Sequence, residues 1–328
     1  MPTDKEIERA AETLRKGGLV AFPTETVYGL GADAANAAAV RKIFAAKGRP
    51  ADHPVIVHIA GAGALKYWAA EVPRAAWVLA ESFWPGPLTM VFKRAASVSD
   101  LVTGGQDTVG LRVPSHPVAQ RLLNAFGGGI AAPSANRFGR LSPTSADHVH
   151  EELGDAVDYV LDGGPCEIGI ESTIVDVSRE QPAVLRPGHI SAEQIAAALL
   201  APLAAAARQA PRVPGSLDSH YAPALPVIIV PAEEIEKYVQ AHASTPIAVL
   251  ARRGRPAGSK ATLWQVAPET PGDYARLFYA TLRRLDVSGC KMIVVEALPA
   301  LPEWVAIQDR LGRSAAPDTV AAPVAAKP

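Results

Sequence analysis

Two threonines, a glutamate and a tyrosine lie together at residues 24–28, separated by Phe22 and Pro23 from the short apolar run of residues 18–21. The run predicts a buried strand, and open α/β sheets bind ligands just past the carboxyl ends of their strands. Gly29 and Gly31 come next, and glycine lets the backbone approach a neighbouring group closely. A plain strand–turn–helix with surface hydroxyls would show the same pattern, so these residues alone leave both interpretations open.

Cationic side chains at two further places would suit an anionic ligand. Lys47 and Arg49 flank a glycine at the predicted end of a helix, where cations are also common because they offset the helix dipole. Arg112 lies in an apolar strand, and burying its charge is costly unless an anion pairs with it. A carboxylate or phosphate ligand would supply that anion, and so would an internal partner such as Asp107. His58 stands alone in another apolar strand, a pattern more typical of a satisfied core residue than of a ligand.

A second polar cluster follows the apolar residues 130–132. Ser134, Asn136 and Ser142 are short hydrogen-bonding residues that stand beside two arginines, a composition that suits phosphate oxygens. The sequence contains neither a P-loop nor a dinucleotide-binding glycine fingerprint. A nucleotide site, if present, must therefore be built in another way.

The elements that would position these clusters alternate between helix and strand. Periodicity predicts helices over residues 4–16, 35–46, 73–83, 116–126 and 191–209. It predicts strands over residues 54–59, 88–92, 108–114, 130–132, 157–161, 171–176 and 184–188. A proline- and glycine-rich linker at residues 211–223 marks a domain boundary, and we expect its His220-Tyr221 pair to dock on something.

Beyond the linker the alternation continues on a smaller scale. Strands at 227–230, 247–250 and 291–296 and helices at 232–242 and 272–286 predict a small parallel sheet. A last helix is predicted at 304–314, and the alanine- and proline-rich residues 316–328 are predicted to be disordered.

Length and composition exclude several classes of protein. The 328 residues suggest about two domains, and the formal charge of -1 excludes a globally basic nucleic-acid binder, though not a local basic groove. Cys166 and Cys290 are far apart, which argues against a disulfide framework or a zinc site. The polar N-terminus and the absence of a run of ~20 apolar residues predict a soluble cytoplasmic protein without a membrane partner.

Taken together, the segments resemble the Sua5/YrdC/YciO family, and in particular its two-domain Sua5-type synthases, over nearly the whole chain. The matching motifs are PTETVYGLG at 23–31, KGRP at 47–50, HPVIVHI at 53–59, WPGPLT at 84–89, DTVGLRVPSHP at 107–117, APSAN at 132–136, SPT at 142–144, ESTIVD at 171–176, LRPG at 185–188 and HYAP at 220–223. So many ordered matches make a chance similarity very improbable.

The resemblance implies an α/β fold in four parts. These are a twisted open-sheet YrdC-like catalytic domain over residues 1–205, a linker or lid over 206–224, a smaller Rossmann-like parallel α/β domain of the Sua5 type over 225–315, and the tail 316–328.

The resemblance also implies an activity. Family members make L-threonylcarbamoyl-AMP from L-threonine, bicarbonate and ATP, with release of pyrophosphate, for the N6-threonylcarbamoyladenosine modification of tRNA. The implied partners are therefore these substrates, a downstream tRNA threonylcarbamoyltransferase complex, and an RNA contact with tRNA or a double-stranded segment. Mg²⁺ is expected with ATP, held mainly by the phosphates, and no organic cofactor is expected. The alternative is a double-stranded RNA-binding or ribosome-maturation module of the same fold.

Site residues follow from the motifs that match. The ATP-site positions are Lys47, Arg49, His53, Thr108, Ser134, Asn136, Ser142, Arg186 and Tyr221, with Lys47 and Arg49 also acting catalytically through their charge. The threonine-site positions are Thr24, Thr26, His58, Arg112, the backbone at Ala132, and Ser172. No nucleophile is implied, so catalysis would come from positioning and charge stabilisation. Which of Thr24 and Thr26 contacts the substrate is left open.

Two places depart from the family pattern. Sua5 proteins usually carry a methionine and basic residues in the linker, where this chain has Ser216-Leu217-Asp218-Ser219. We expect the linker to close over the site through Tyr221 without a cation that reaches the phosphates. Near the C-terminus, Pro302-Glu303-Trp304 replaces a glycine-rich stretch.

Overall fold

The computed structural model describes residues 1–206, 209–215 and 221–315. Contacts divide the chain into two units, of which the first comprises Met1–Phe138 and Ser142–Ser216 and the second Gly139–Leu141 and Leu217–Pro328. The linker residues around Asp218, together with His220 and the tail 316–328, lie outside the described residues. The interpretations placed on them above stay predictions.

The helices of the first unit begin and end where local chemistry favours it. They are α1 (Asp4–Arg15), α2 (Ala37–Lys47), α3 (Leu65–Trp68), α4 (Arg74–Phe83), α5 (Asp100–Thr103), α6 (Pro117–Phe126), α7 (Ala146–Leu153) and α8 (Ala192–Leu199). Thr3 and Glu6 form a capping box at the start of α1. Asn36 caps α2, and Gly48 ends it in the left-handed conformation that glycine tolerates. This end places Lys47 and Arg49 on either side of the turn.

The strands of the first unit form one mixed, nine-stranded sheet. They are β1 (Val20–Phe22), β2 (Gly29–Asp33), β3 (Ile56–His58), β4 (Leu88–Lys93), β5 (Thr108–Arg112), β6 (Ile130–Ala131), β7 (Tyr159–Val160), β8 (Thr173–Asp176) and β9 (Ala183–Arg186). Their order is β7-β1-β2-β6-β3-β5-β4-β8-β9. The pairs β1·β7, β3·β5 and β4·β8 are parallel and the others antiparallel.

Strand β2 was not expected, because the sequence predicted a polar turn that leads directly into a helix. The stretch contains no β-branched residue, and its strand conformation comes from pairing with β1 on one side and β6 on the other. A Cβ at Gly31 would stand 2.8 Å from side-chain atoms of both Ile130 and Phe22. The predicted close approach of the glycine backbone is therefore confirmed, and it is what lets β2 fit between its neighbours.

The central strands bury different residues on their two faces, as the two-residue period of a strand requires. Val55 and Val57 belong to the main helix-covered core. Ile56, between them, packs on the other face with Ile174 and with Val213 of the linker. The linker thus lies against the sheet face that carries Ile56.

Helix α8 is shorter than the predicted helix over 191–209. It ends at Leu199, and Leu200 adopts a left-handed conformation with φ of 51°. Pro202 follows, and proline cannot continue the helical hydrogen-bond ladder. The high alanine content of residues 191–209 therefore led to a predicted helix that is longer than the observed one.

The second unit is a four-stranded parallel sheet with helices. Its elements are β10 (Val227–Val230), α9 (Ile235–Ala241), β11 (Ile247–Ala251), β12 (Leu263–Val266), α10 (Pro271–Asp286), β13 (Met292–Glu296) and α11 (Val305–Ser314). The strand order is β10-β13-β11-β12, and every pairing is parallel, as predicted. Strand β12 was missed because it is a short edge strand behind a glycine- and proline-rich loop. Trp304, in the stretch that departs from the family, is buried against Tyr274.

Candidate active site

The turn after β1 is organised by Thr24. Its hydroxyl lies 2.8 Å from that of Thr26 and donates to the carbonyl of Val27 at 2.6 Å. The same oxygen accepts the amides of Thr26 and Val27 at 3.2 Å. This is the local pattern by which threonine stabilises a turn. Both threonine side chains are buried, and Thr26 lies between Thr24 and the arginine described next.

Arg112 reaches this turn from the end of β5. Its Nη1 donates to the Thr26 hydroxyl at 2.9 Å, and its Nη2 donates to Glu25 Oε1 at 2.7 Å. Its Nε donates to the carbonyl of Gly86 at 3.3 Å, while the second oxygen of Glu25 accepts the amide of Ser115. The two charged side chains are each only 4% exposed. The buried guanidinium is therefore paired internally, and each terminal nitrogen still carries a further N–H.

The internal partner of Arg112 is Glu25 and not Asp107, the example offered from sequence. The backbone carbonyl of Asp107 accepts the amide of Arg94 beyond the far end of β5. Glu25 lies 87 positions from Arg112 along the chain, so only the fold brings the pair together. The sequence indicates that the buried Arg112 needs an anion nearby, but it does not indicate which residue provides that anion.

The pairing of adjacent strands places several of the candidate residues side by side, in one row that crosses the sheet. Because directly paired residues point to the same face of a sheet, their side chains are neighbours. The row, in order across five strands, is His58, Arg112, Thr89, Ile174 and Arg186. Three of these five were predicted site residues.

His58 is buried beside Arg112 and stays neutral. Burial, and then the positive charge of Arg112, hold the pKa of His58 well below its usual value. The imidazole meets the ring of Phe22 edge-on with centroids 5.8 Å apart. Its Nδ1 has no hydrogen-bond partner among the described residues. A buried polar atom of this kind is suited to a ligand, because leaving it unpaired is costly.

Ser172 connects Thr89 to Arg186. The hydroxyl of Ser172 lies 2.8 Å from that of Thr89 and accepts from Arg186 Nη2 at 3.1 Å. The carbonyl of Ser172 accepts both Nε and Nη2 of Arg186. On the preceding residue, the Glu171 carboxylate accepts the hydroxyl of Ser142 at 2.5 Å. Ser142, Ser172 and Arg186 are thus brought together through these contacts and the adjacent Glu171.

Lys47 is fully buried and holds the loop after β6. Its ammonium donates to the backbone carbonyls of Ser134 at 2.6 Å and Asn136 at 2.5 Å. Burial, and then the charge of Arg49, keep the pKa of Lys47 well below its usual value. The lysine therefore fixes the shape of the loop that carries Ser134 and Asn136, in addition to placing a charge there.

Arg49 and His53 meet around Phe138. The guanidinium of Arg49 lies 6.0 Å from the centroid of the Phe138 ring, and its Nη2 donates to the carbonyl of Pro54 at 2.7 Å. The His53 ring contacts Phe138 edge-on at 5.4 Å. Partial burial, and then Arg49, lower the pKa of His53. Five predicted ATP-site residues, Lys47, Arg49, His53, Ser134 and Asn136, are therefore assembled around one loop.

Backbone hydrogen bonds join the threonine turn to this loop. Leu30 donates to the carbonyl of Pro133 at 2.8 Å, and Ala135 donates to that of Tyr28 at 2.9 Å. The amide of Ala132 is bonded to the carbonyl of Ile56 at 2.9 Å. The two predicted pockets are consequently neighbours within the first unit.

Thr108 lies apart from these clusters, at the opposite end of β5 from Arg112. A cavity of about 10 Å³, beside Thr108 and Ile56, is closed by linker residues including Val213. The Gln106 amide holds the linker by accepting the amide of Arg212 at 2.7 Å and donating to its carbonyl at 3.1 Å. Such a volume has room for about one water molecule. Thr108 is therefore covered by the described part of the linker.

Tyr221 belongs to the second unit. Its ring, 1% exposed, packs on Tyr279 with centroids 5.8 Å apart, and the Arg310 guanidinium lies 5.5 Å from the Tyr221 ring centroid. Its carbonyl accepts the Ser314 hydroxyl at 2.7 Å. The aromatic residue of the linker thus docks as expected, within the second unit. Its assignment to the ATP site stays a prediction.

Sequence reasoning missed three groups at the site: Glu25, Thr89 and the carbonyl of Gly86. The signal for Glu25 was present, since a buried arginine needs an anion and a carboxylate stood between two predicted site threonines. Thr89 and Gly86 gave no such signal. Only the register of β4 against β5, and the turn before β4, place them next to Arg112 and Ser172.

Among the residues that the structure describes, no group of three or more His, Cys, Asp or Glu side chains is arranged to hold a metal ion. Within that same part of the chain, no helix combines the length and the apolar character needed to cross a membrane.

Two family models match the chain. One, described as Telomere recombination and named Sua5_yciO_yrdC, matches residues 12–188, and the other, described as Threonylcarbamoyl-AMP synthase, C-terminal domain, matches residues 190–316. The threonylcarbamoyl-AMP synthase of Pyrococcus abyssi is 38% identical over 322 residues, which are 94% of this chain and 94% of the relative. That of Bacillus subtilis is 38% identical and covers 95% of this chain and 93% of the relative.

Solved structures agree with these sequence matches. The P. abyssi Sua5 structure complexed with L-threonine superposes with a TM-score of 0.90 and 37% identity, covering 96% of this chain and 95% of that one. The Escherichia coli YciO structure superposes with a TM-score of 0.51 and 26% identity, covering 57% of this chain and 91% of that one.

Proposed function

Because the chain belongs to the Sua5 family of threonylcarbamoyl-AMP synthases, we propose that it condenses L-threonine, bicarbonate and ATP into L-threonylcarbamoyl-AMP and releases pyrophosphate. One observation supports this most directly. Arg112 donates a hydrogen bond to Thr26 and is paired in register with the buried His58, in a chain that is similar to a Sua5 structure complexed with L-threonine over 96% of its length.

In this proposal the carboxylate of L-threonine binds the remaining N–H groups of Arg112. The guanidinium is pre-oriented by Glu25, Thr26 and Gly86, so little rotamer entropy is lost when the substrate binds. Nδ1 of the neutral His58 accepts a hydrogen bond from the amine or the hydroxyl of threonine. Thr24 shapes the turn, and Thr26 is the threonine that stands beside the substrate.

ATP is proposed to bind across the loop of residues 134–142. Lys47 and Arg49 supply positive charge, and the side chains of Ser134 and Asn136 direct hydrogen bonds to the phosphates. Mg²⁺ would enter with the nucleotide and would be carried mainly by phosphate oxygens and water.

The reaction then needs two bond-forming steps. The threonine amine attacks the carbon of bicarbonate-derived CO₂, which forms the carbamate C–N bond and releases a proton. A carbamate oxygen next attacks the α-phosphorus of ATP, and the bond to the pyrophosphate oxygen breaks. Neither step requires a covalent enzyme intermediate. Held geometry can supply ~7–11 kcal/mol of the barrier, with the cations stabilising charge on the phosphates.

The test is incubation of the purified protein with Mg²⁺, ATP, radiolabelled bicarbonate and L-threonine. We expect pyrophosphate release that depends on threonine, with label appearing in a nucleotide product. L-valine is the matched control, because it has nearly the shape of threonine but lacks the hydroxyl that the pocket must pair. Pyrophosphate release that proceeds equally without threonine would overturn the proposal.

We further propose that the product serves tRNA modification in the cytoplasm. Threonylcarbamoyl-AMP is a mixed anhydride, so its acyl group must pass to an acceptor before water hydrolyses it. A downstream tRNA threonylcarbamoyltransferase complex would provide that acceptor.

A further inference from the structure

Thr89 lies between two arginines of the proposed site, within the first unit. It is paired directly with Arg112 across β4 and β5, so the two side chains share one face of the sheet. Its hydroxyl contacts that of Ser172, which in turn accepts from Arg186. All four residues are buried. Buried polar groups are normally hydrogen-bonded, so the direction of each bond in this group can be worked out.

The contact between Thr89 and Ser172 has a favoured direction. The two oxygens are 2.8 Å apart, and the distance by itself allows either hydroxyl to donate. Among the described residues, Ser172 is the hydrogen-bond partner of the Thr89 side chain, which is 0% exposed. If Ser172 donated, the proton of Thr89 would be buried without an acceptor there, and such a proton is costly. Donation by Thr89 avoids this cost.

This direction leaves the proton of Ser172 for a ligand. The Ser172 oxygen accepts from Thr89 and, at 3.1 Å, from Nη2 of Arg186, which together occupy both of its lone pairs. Its proton has no acceptor within the described part of the chain, although the residue is only 1% exposed. Because one cation bonds to Ser172 and a second, Arg112, lies beside Thr89, an anionic acceptor suits the proton best.

Local packing fixes the position of both side chains. The methyl group of Thr89 lies towards Gly110, where an added Cβ would stand 3.6 Å from it. The backbone after Ser172 is held separately, since the amide of Thr173 donates to the carbonyl of Pro87 at 3.0 Å. The position of Ser172 therefore does not depend on the hydroxyl of Thr89, whereas the direction of the Ser172 hydroxyl does.

We propose that Thr89 is a positioning residue for L-threonine, because its hydrogen bond makes Ser172 a donor to the substrate carboxylate. The inference rests on the proposed function and adds Ser172 to Arg112 as a donor to that carboxylate. Without the bond from Thr89, the hydroxyl of Ser172 can rotate and turn a lone pair towards the carboxylate, which repels it. Thr89 thus acts on the substrate through Ser172.

Three variants separate this role from a structural one. Thr89→Val removes the hydroxyl and keeps the branched shape, and Ser172 keeps its bond from Arg186, so the first unit should still fold. Thr89→Ser retains the hydroxyl and tests whether it is sufficient. Thr103→Val is the matched control, because Thr103 is an equally buried threonine whose hydroxyl donates to the carbonyl of Asp100 in α5.

We expect Thr89→Val to raise the Kd for L-threonine about tenfold, the effect of losing one oriented hydrogen bond to a charged group. Thr89→Ser and Thr103→Val should bind within about twofold of the parent. In a Ser172→Ala background there is no hydroxyl to orient, so adding Thr89→Val should raise the Kd by less than about twofold. Two changes that act through one bond are not additive. Calorimetric titration with L-threonine measures each Kd.

An unchanged Kd in Thr89→Val would overturn the inference, as would an equal rise when the same change is made in Ser172→Ala. Binding by Thr89→Ser as weak as that of Thr89→Val would overturn it too, because the hydroxyl would then not be the group that matters. If the parent bound L-threonine but released no pyrophosphate, the proposed function would fail, and the Kd values would still decide the role of Thr89.

Discussion

Arg112 has a role both in the fold and in the proposed chemistry. Glu25 neutralises its charge, and Thr26 and Gly86 fix its direction, so the buried guanidinium is stable before any substrate binds. An ion pair of this kind is costly to break from one side, because the remaining charge is left unpaired in a poorly solvated place. The same contacts hold the guanidinium of Arg112 in one orientation. Each of its terminal nitrogens keeps one further N–H group that could bind a substrate.

Arg112→Lys should therefore raise the KM for L-threonine at least about tenfold, since lysine cannot present a two-pronged donor to a carboxylate. The KM for ATP should change much less, because Arg112 contacts the threonine turn and not the loop of residues 134–142. Steady-state kinetics with each substrate varied in turn measures both values.

Arg121→Lys provides the control for this change. Arg121 pairs with the exposed Asp4 on the surface of the first unit, away from either pocket. Surface pairs contribute little, so its kinetics should match the parent. A threonine KM for Arg112→Lys that also matched the parent would remove Arg112 from the threonine site.

Strand β2 decides, at the level of elements, how the two pockets meet. By pairing with β1 it folds the polar turn back over the sheet, and by pairing with β6 it brings that turn beside the loop of residues 134–142. Its glycines make this possible, because side chains there would collide with Phe22, Ile130 or Ala132.

Gly31→Ala should destabilise the first unit by about 1–3 kcal/mol, the usual cost of forcing an extra methyl group into a packed core. The added Cβ would lie 2.8 Å from Ile130 and Phe22, and neither is able to move away without disturbing β6 or β1. Urea denaturation followed by circular dichroism measures the free energy of unfolding.

A second glycine tests whether the effect is one of packing. At Gly61 an added Cβ would meet nothing within 4 Å, so Gly61→Ala should stay within about 0.5 kcal/mol of the parent. Equal losses in the two variants would show that the close approach at Gly31 does not limit stability.

The whole molecule is not divided as a single cut through the sequence would divide it. Residues 139–141 are assigned to the second unit, and linker residues 212–214 pack on the sheet of the first. The chain therefore passes from one unit to the other at three places.

Gln106→Ala should loosen the linker from the first unit. The variant loses both hydrogen bonds between the side-chain amide and the backbone of Arg212, while the bond from Arg186 to the carbonyl of Pro214 stays. Trypsin cleavage after Arg212 should accelerate about fivefold, as expected for the loss of roughly 1 kcal/mol of local stability. Gln240→Ala, an exposed change on α9, should leave the cleavage rate unaltered. An unaltered rate in Gln106→Ala as well would show that Gln106 does not hold the linker.

The sequence by itself determined the α/β class, the parallel sheet of the second unit and most helix and strand positions. These depend on short-range periodicity, on caps such as Asn36 and on breakers such as Gly48, all of which act within a few residues. Ordered motifs also indicated the family, and with it which residues to examine.

Only the tertiary structure decided the pairing of Arg112 with Glu25, the strand conformation of residues 29–33 and the attachment of Gly139–Leu141 to α10. Each depends on contacts between residues far apart in the chain, 87 positions for Glu25 and Arg112 and 142 for Leu141 and Arg283. Patterns within a few residues of sequence do not indicate which residues far apart in the chain come into contact. The buried charge of Arg112 could be recognised as a need for an anion, but which anion meets it is a property of the folded sheet.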